Sequence, residues 1–194
     1  MVLFYLDLQD EGFCAATKLP DHLEVERKAS LDGIGAQEWR QISEFWNPDL
    51  CRRNFSERFQ EGASLWLIRA EGKLAGYGWT MTGRTIVPYY YPLEGNYAHL
   101  FDFLVFPEFR GRNINPLLVG HILNELAAEG RSRAYIEVRE WNRRQLNSLA
   151  KTRFRRLGVA RKATLFGRTF VEWSAARAGP GLENAQIPAP DAVA

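Results

Sequence analysis

An apolar segment, a short basic turn and an amphipathic segment follow one another between residues 100 and 130, and this order constrains the fold more than any other part of the chain. The run Leu100–Phe106 has the length and composition of a buried strand. From Ile114 onward apolar residues recur every four positions, as on a helix that buries one face, until Gly130 provides a natural end. Asn115 is a suitable N-cap and Pro116 suits the first helical turn, so the segment predicts a strand, a tight turn and a helix.

The predicted turn is a candidate anion site. The first turn of a helix has backbone N–H groups without partners and the positive end of the helix dipole, and both favour a bound phosphate. Arg110 and Arg112 add formal positive charge beside it. The residue types alone leave two interpretations open, a phosphate-binding turn or an ordinary solvated turn between a strand and a helix.

The pattern Val-x-Pro-x-x-Arg-Gly-x-x-Ile-x-x-x-Leu, from Val105 to Leu118, closely resembles motif A of the GCN5-related N-acetyltransferases, the GNAT superfamily. In that family the strand end binds the pantetheine arm of acyl-CoA, while the turn and the helix N-terminus bind its pyrophosphate. The resemblance therefore implies that acetyl-CoA is a co-substrate, without a metal. It assigns the contacts with acetyl-CoA to Leu104, Val105, Phe106, Arg110, Gly111, Arg112, Asn113, Ile114 and Asn115.

The turn departs from the family pattern at two positions where the family has Gly or Ala. This chain has Asn113 and Asn115 there. Asn tolerates left-handed backbone angles better than other residues with a side chain, so Asn113 can replace a glycine. Pro116 also removes one N–H that the helix could offer to a phosphate.

A second segment, Asn147–Val159, is similar to motif B of the same superfamily. Asn147, Ala150 and Gly158 match in register, and we expect a long basic helix over Asn142–Leu157 that Gly158 ends. The family also has an Asn four residues after a strand Val, a spacing that Val138 and Asn142 reproduce. Asn142 and Asn147 are thus both candidates for contacting the pantetheine amides, and helix capping is the alternative role for each.

Phe154 stands where the family often has the Tyr that protonates the departing CoA thiolate. A phenylalanine cannot donate a proton. Three explanations follow: another acid serves, solvent protonates the thiolate, or the chain is a weak or inactive acyltransferase.

The remaining segments follow the family order and predict an α/β (α+β mixed) fold. The resemblance implies a central mixed, mostly antiparallel twisted sheet with helices on both faces, splayed between the motif A strand and the following parallel strand. Before motif A, two strands, two helices and a hairpin are expected; after it come a parallel strand and a closing strand pair. In order, the predicted strands are Val2–Leu8, Leu23–Ala29, Ser64–Ala70, Lys73–Met81, Leu100–Phe106, Ala134–Arg139, Val159–Phe166 and Thr169–Trp173.

We expect three parts along the chain. Residues 1–20 are expected to form an N-terminal strand and turn extension, and residues 21–173 the acyl-CoA N-acyltransferase domain. Residues 174–194 are mostly Ala, Pro and Gly with few large apolar side chains, which is typical of a disordered tail.

Acyl transfer to an amine requires that the ammonium group lose a proton before it attacks, so a base is needed. His99 lies six residues before Val105, and simple strand alternation places both on one face. In the arylalkylamine members of the family a His stands at the matching place. Asp102 is the alternative base, on the opposite face unless a bulge reverses the alternation, and Glu137 on the next strand is a third option.

The loop before the motif A strand contains three consecutive tyrosines within Tyr89–Pro92. Two interpretations are open for these rings. They either pack at the rim of the fold or line a pocket for the acceptor, because aromatic rings with polar tips suit such pockets.

Charge and cysteine content narrow the class of protein. The net charge of +2 is too small to indicate a nucleic-acid partner, although residues 139–168 hold ten basic side chains and one acidic, a suitable seat for polyanionic CoA. Two cysteines, Cys14 and Cys51, and a start without a basic segment are typical of a cytoplasmic protein, and no apolar run is long enough for a membrane span. The sequence leaves open whether the chain forms a homodimer.

These observations together predict an N-acetyltransferase that transfers an acetyl or longer acyl group from acetyl-CoA to a primary amine of a small molecule or peptide, by direct attack in a ternary complex. The alternative is a non-catalytic or weakly active acyl-CoA-binding domain, which the phenylalanine at position 154 favours. The acceptor is not identified by the sequence.

Overall fold

The computed structural model describes residues 1–10, 19–85, 90, 93, 95–165 and 168–174. In this part of the chain an eight-stranded sheet is covered by four α-helices. The strands lie in the order β2-β3-β4-β5-β6-β1-β7-β8, and every neighbouring pair is antiparallel except β5 and β6, which are parallel. The predicted mixed, mostly antiparallel sheet is confirmed. The strands are β1 Val2–Asp7, β2 Leu23–Lys28, β3 Ser64–Ala70, β4 Lys73–Thr82, β5 Tyr97–Val105, β6 Arg133–Val138, β7 Arg155–Leu165 and β8 Arg168–Ser174. The helices are α1 Ala36–Phe45, α2 Pro48–Gln60, α3 Ile114–Ala128 and α4 Arg143–Leu149.

Strands β3 and β4 form a hairpin that is buried on both faces. Glu71 and Gly72 at its tip both have positive φ, 52° and 72°, as the tight two-residue turn of a hairpin requires. Because helices cover both faces, nearly every side chain of these strands is buried, and the apolar runs show little alternation.

The two faces of this half of the sheet are covered by different helices. On one face, which we call the α2 face, the Phe55 ring of α2 contacts the Trp79 ring at 4.8 Å. On the other, the α3 face, His121 of α3 packs edge-on against Trp66. Leu118, Ile122 and Leu126 of α3 are fully buried, and burial of each such side chain stabilises the fold by about 1.5–3 kcal/mol.

Strand β1 lies inside the sheet, between β6 and β7. Val2 pairs with Val138 on one side and with Val159 on the other. The terminal ammonium of Met1 donates a hydrogen bond of 2.7 Å to the carbonyl of Ala160. A boundary after residue 20, as expected from the sequence, would therefore separate β1 from the sheet to which it belongs. Residues 2–7 belong with the rest of the domain.

Helix α4 is much shorter than the helix expected over Asn142–Leu157. It ends at Leu149, and β7 already begins at Arg155. The Thr152 hydroxyl donates to the Leu149 carbonyl and accepts from the Phe154 N–H, so local side-chain bonds replace the helical ladder. The residues from Arg155 onward pair with β1 instead, and this pairing outweighs their propensity to form a helix.

Two smaller differences concern the ends of elements around the predicted turn. Helix α3 begins at Ile114 with Asn113 as its N-cap, two residues earlier than an Asn115 cap implies. Strand β5 begins at Tyr97, so His99 lies within the strand and not in the preceding loop. Among the helices of the described ranges, none is both long and apolar enough to cross a membrane.

Candidate functional site

The two parallel strands of the sheet part along their length. Only Tyr97–Leu100 of β5 pairs with β6, and the last pair is Leu100 with Ile136. Beyond it β5 runs on to Val105 and β6 to Val138 without pairing to each other. The predicted splay is confirmed, and it leaves facing backbone edges between which an extended ligand can lie.

A bulge interrupts β5 within the splayed part. Tyr77 pairs with Leu104 and Trp79 with Phe101, so two residues of β5, Asp102 and Phe103, oppose Gly78 alone. Asp102 has the left-handed φ of 51° that such an insertion needs.

The bulge reverses the side-chain alternation of β5. The Phe101 ring stacks against Trp79 on the α2 face, whereas Phe103 lies directly over Gly78 on the α3 face. Phe106 contacts Tyr77, which packs against Phe55 on the α2 face, so Val105 before it points to the α3 face. The prediction that His99 and Val105 share a face is therefore wrong, because it assumed an uninterrupted strand.

A cleft of about 810 Å³ opens on the α3 side of the splay, between the end of β5, the turn, and the start of α3 and α4. Most residues predicted to contact acetyl-CoA line it. These are Leu104, Val105, Arg110, Gly111, Asn113, Ile114, Asn115, Asn142 and Asn147. Phe106 lies outside the lining with its side chain in the core, and Arg112 places its guanidinium over the Phe109 ring.

The turn has the backbone that the sequence predicted. Gly111 and Asn113 have φ of 81° and 57°, so Asn113 adopts the left-handed conformation in place of a glycine. Arg110 donates from Nε to the Val105 carbonyl at 3.1 Å, which ties the turn to the strand end. Lys151 donates from Nζ to Asn113 Oδ1 at 3.0 Å and brings a positive charge to the N-terminus of α3.

Four polar or charged residues of the cleft were not predicted from the sequence: Arg144, Gln145, Ser148 and Lys151. The available signal was the excess of basic residues between positions 139 and 168. This signal could not identify Lys151, because the sequence predicted Lys151 inside a long helix, whereas it lies just after the end of α4.

The other three asparagines of the cleft have different environments. Asn115 donates to the Ser148 hydroxyl at 2.9 Å, which links α3 to α4, and its buried Oδ1 has no hydrogen-bond partner among the described residues. Asn142 caps α4, since its Oδ1 accepts from the Gln145 N–H at 3.1 Å. Asn147 is exposed on the cleft wall.

His99 and Glu137 form a pair where the strands begin to part. His99 Nε2 and Glu137 Oε2 are 2.8 Å apart, and the His99 ring stacks on Phe101. Only 6% of the His99 side chain is exposed, against 20% for Glu137, which is the first residue of β6 beyond the last strand pair with β5. The third-ranked candidate of the sequence analysis is thus the direct partner of the first.

Asp102 lies in a different environment from that pair. Its side chain is 60% exposed and forms an ion pair with Arg58 of α2. Its neighbours along the strand, Phe101 and Phe103, are apolar. The left-handed backbone at Asp102 instead allows the carboxylate to reach solvent and a cation.

An aromatic cluster covers the α2 face next to the His99–Glu137 pair. Tyr90 packs there with Leu3, Tyr135 and Ala160, and the Trp173 ring contacts it. Burial, and then the nearby charge of Glu137, raise the pKa of Tyr90 to about 12. Of the predicted tyrosine cluster only Tyr90 can be placed, because Tyr89, Tyr91 and Pro92 lie outside the described residues.

Lys162 approaches the same cluster. Its Nζ lies 4.4 Å from the centroid of the Tyr90 ring. Burial lowers the pKa of Lys162, and the negative charge of Glu137 opposes that shift. The ammonium group of Lys162 and the aromatic cluster around Tyr90 therefore lie next to each other, close to Glu137.

Phe154 packs against the main core and is not part of the cleft lining. Because α4 ends at Leu149, the chain turns before this position. A phenol at residue 154 would consequently not extend from helix α4 toward the cleft.

Comparison with known proteins agrees with this geometry. Residues 31–153, more than half of the chain, match the acetyltransferase (GNAT) family. The sequence has no detectable match among curated proteins.

Three solved structures share the fold at low sequence identity. The GCN5-related glucosamine N-acetyltransferase region of a fungal multi-domain GH3 β-N-acetylglucosaminidase has a TM-score of 0.54 and 16% identity, over 80% of this chain and 19% of that one. The IAA acetyltransferase of Bacillus cereus has a TM-score of 0.53 and 14% identity, over 76% and 92%. A Drosophila protein has a TM-score of 0.51 and 16% identity, over 80% and 46%. The motif at Val105–Leu118, the splayed parallel strands and the family match lead to one conclusion: this chain belongs to the GNAT family of acetyltransferases.

Proposed function

We propose that this protein transfers an acetyl group from acetyl-CoA to a primary amine of a small molecule or peptide. The observation that carries the proposal is the parting of β5 and β6 beyond Leu100 and Ile136. The basic cleft lies on the α3 side of this gap, and the His99–Glu137 pair lies at its start, against the α2 face. The two substrates would then approach from opposite faces and react between the strands.

The cleft suits CoA in charge and in hydrogen-bonding groups. Arg110, Arg144 and Lys151 supply positive charge around the start of α3, where backbone N–H groups and the helix dipole favour phosphate. The unpartnered Oδ1 of Asn115 offers an acceptor to an amide N–H. The unpaired edge of β5 at Leu104 and Val105 can bond the pantetheine arm as a neighbouring strand would.

His99 is proposed to accept the proton of the acceptor ammonium. With Nε2 donating to the Glu137 carboxylate, Nδ1 is the ring atom that takes up a proton, and Glu137 stabilises the resulting cation. The neutral amine nitrogen then attacks the thioester carbonyl carbon, and a backbone N–H facing the gap donates to the oxyanion. The attacking nitrogen, now positively charged, loses its second proton to solvent, and the C–S bond breaks as the amide forms.

The CoA thiolate that leaves must gain a proton. Phe154 cannot supply one and lies outside the cleft, so we assign this step to solvent reaching the open cleft. The same residue supports a second candidate function, a domain that binds acyl-CoA without turning it over.

Thiol release from acetyl-CoA in the presence of a panel of primary amines separates the two functions. Transfer predicts release that depends on the amine, and on His99 when His99→Gln is compared with wild type. Binding without transfer predicts CoA affinity by calorimetry and no release with any amine. If neither affinity nor release is found, both functions are wrong.

A further inference from the structure

An ion pair joins helix α2 to the bulge of β5. The Asp102 carboxylate binds the guanidinium of Arg58. The left-handed backbone of Asp102 is unfavourable for any residue with a Cβ, although Asp tolerates it better than most. Since 60% of the Asp102 side chain is exposed, packing contributes little to holding it in this conformation.

Arg58 is fixed more firmly than Asp102. Only 19% of its side chain is exposed, and its guanidinium carbon lies 5.1 Å from the Trp79 ring centroid and 5.4 Å from that of Phe101. Trp79 and Phe101 are cross-strand partners directly beside the bulge. A planar guanidinium stacked on aromatic rings is preorganised, so this pair loses less side-chain entropy than two flexible surface residues would.

The neighbouring strand is shaped to receive the bulge. A Cβ at Gly78 would lie 2.3 Å from the Phe103 ring, and a Cβ at Gly76 would lie 2.4 Å from the Leu104 carbonyl oxygen. The lack of side chains at Gly76 and Gly78 thus leaves room on β4 for the bulged strand, and Arg58 contacts the same strand from α2. The segment held in this way is the part of β5 that lines the cleft.

We propose that Arg58 is a positioning residue for the donor substrate. Through Asp102 it holds the bulge of β5 and so aligns the backbone of Leu104 and Val105 for acyl-CoA. This consequence rests on the proposed function, whereas the hold of Arg58 on the bulge does not.

The test is a double-mutant cycle of Arg58→Ala and Asp102→Gly, because glycine adopts a left-handed backbone without a partner. Arg53→Ala is the matched control: Arg53 lies on the same helix, 65% exposed, with its charge partner Glu57 four residues on. Two quantities are measured, amide hydrogen exchange of residues 101–106 in the ligand-free protein and the affinity for CoA by calorimetry, with kcat and KM for acetyl-CoA beside them.

Arg58→Ala is expected to speed exchange at the bulge and to weaken CoA binding by about tenfold each, raising KM more than it lowers kcat. Arg53→Ala is expected to change neither. In the Asp102→Gly background, Arg58→Ala should change both quantities by less than about threefold. If Arg58→Ala does not fold, Arg58→Lys replaces it in the cycle, since Lys retains the charge and loses the stacked planar group.

Equal penalties for Arg58→Ala in both backgrounds would overturn the proposal, since Arg58 would then act on helix packing and not through Asp102. Exchange at the bulge indistinguishable from that of the Arg53→Ala control would overturn it as well. Failure of the wild-type protein to bind CoA would instead refute the proposed function and with it the role toward the donor. The double-mutant cycle measured by hydrogen exchange needs no ligand, so it tests separately whether Arg58 holds the bulge.

Discussion

Gly76→Ala should damage both the fold and the donor site, because the new methyl group meets backbone and not a movable side chain. The added Cβ would lie 2.4 Å from the Leu104 carbonyl oxygen and 3.2 Å from the Val105 Cα, where ordinary contact begins at 3.4 Å. Restoring ordinary contact requires the two strands to separate locally by about 1 Å. Overpacking of this kind costs about 1–3 kcal/mol, which corresponds to a fall in Tm of about 2–4 °C for each kcal/mol in a chain of this length.

The displaced residues are those proposed to bind the pantetheine arm, so CoA affinity should fall together with Tm. Gly120→Ala is the control, because Gly120 lies in α3 with no neighbour within 4 Å of the new methyl group. That change should stabilise the protein by about 0.5–1 kcal/mol through helix propensity. Thermal unfolding and calorimetry with CoA measure both effects. A Gly76→Ala protein with the Tm and CoA affinity of wild type would refute the packing argument.

Three further changes test other parts of the site. Lys151→Met should weaken CoA binding by about 1–2 kcal/mol, and by less at high salt, because the Lys151 charge lies beside the proposed phosphate end of the cleft. Lys73→Met, at an exposed strand end, should leave CoA binding unchanged. Equal effects of the two variants on calorimetric affinity would exclude Lys151 from the site. Because burial raises the pKa of Tyr90 from 10.0 to about 12, the folded protein keeps this proton where the unfolded chain loses it, so stability should fall as pH rises through that window; urea titrations of Tyr90→Phe should show a flatter fall, and an identical fall would contradict the burial of the phenol. His99→Gln should lower kcat/KM for acyl transfer by about 10²–10⁴-fold through loss of the general base, and a folded variant with full rate would exclude His99 as the base.

Local sequence signals predicted the strand, turn and helix that line one side of the cleft. The strand, turn and helix around Val105–Leu118 are encoded by contiguous apolar periodicity and by residues suited to a turn, so the seven predicted cleft residues of this segment lie together. The left-handed Asn113 followed from its residue type in a glycine position. In each case the determining interactions lie within a few residues of one another.

Features set by distant contacts could not be predicted in the same way. The place of β1 depends on pairing with strands more than 120 residues away, and that pairing also ends α4 early and removes Phe154 from the cleft. The bulge at Asp102 depends on Arg58, Gly76 and Gly78, which lie on other elements. A single extra residue there reversed the face of every side chain before it and so changed which candidate base faces which substrate.

A crystal structure with CoA bound would show directly where the two substrates meet. We expect the pyrophosphate at residues 110–115 beside Lys151, the pantetheine arm along Leu104 and Val105, and the sulfur in the gap beyond Leu100 and Ile136, toward the His99–Glu137 pair. Density for CoA with its pyrophosphate away from the turn, or with its sulfur outside the gap between β5 and β6, would contradict this expectation.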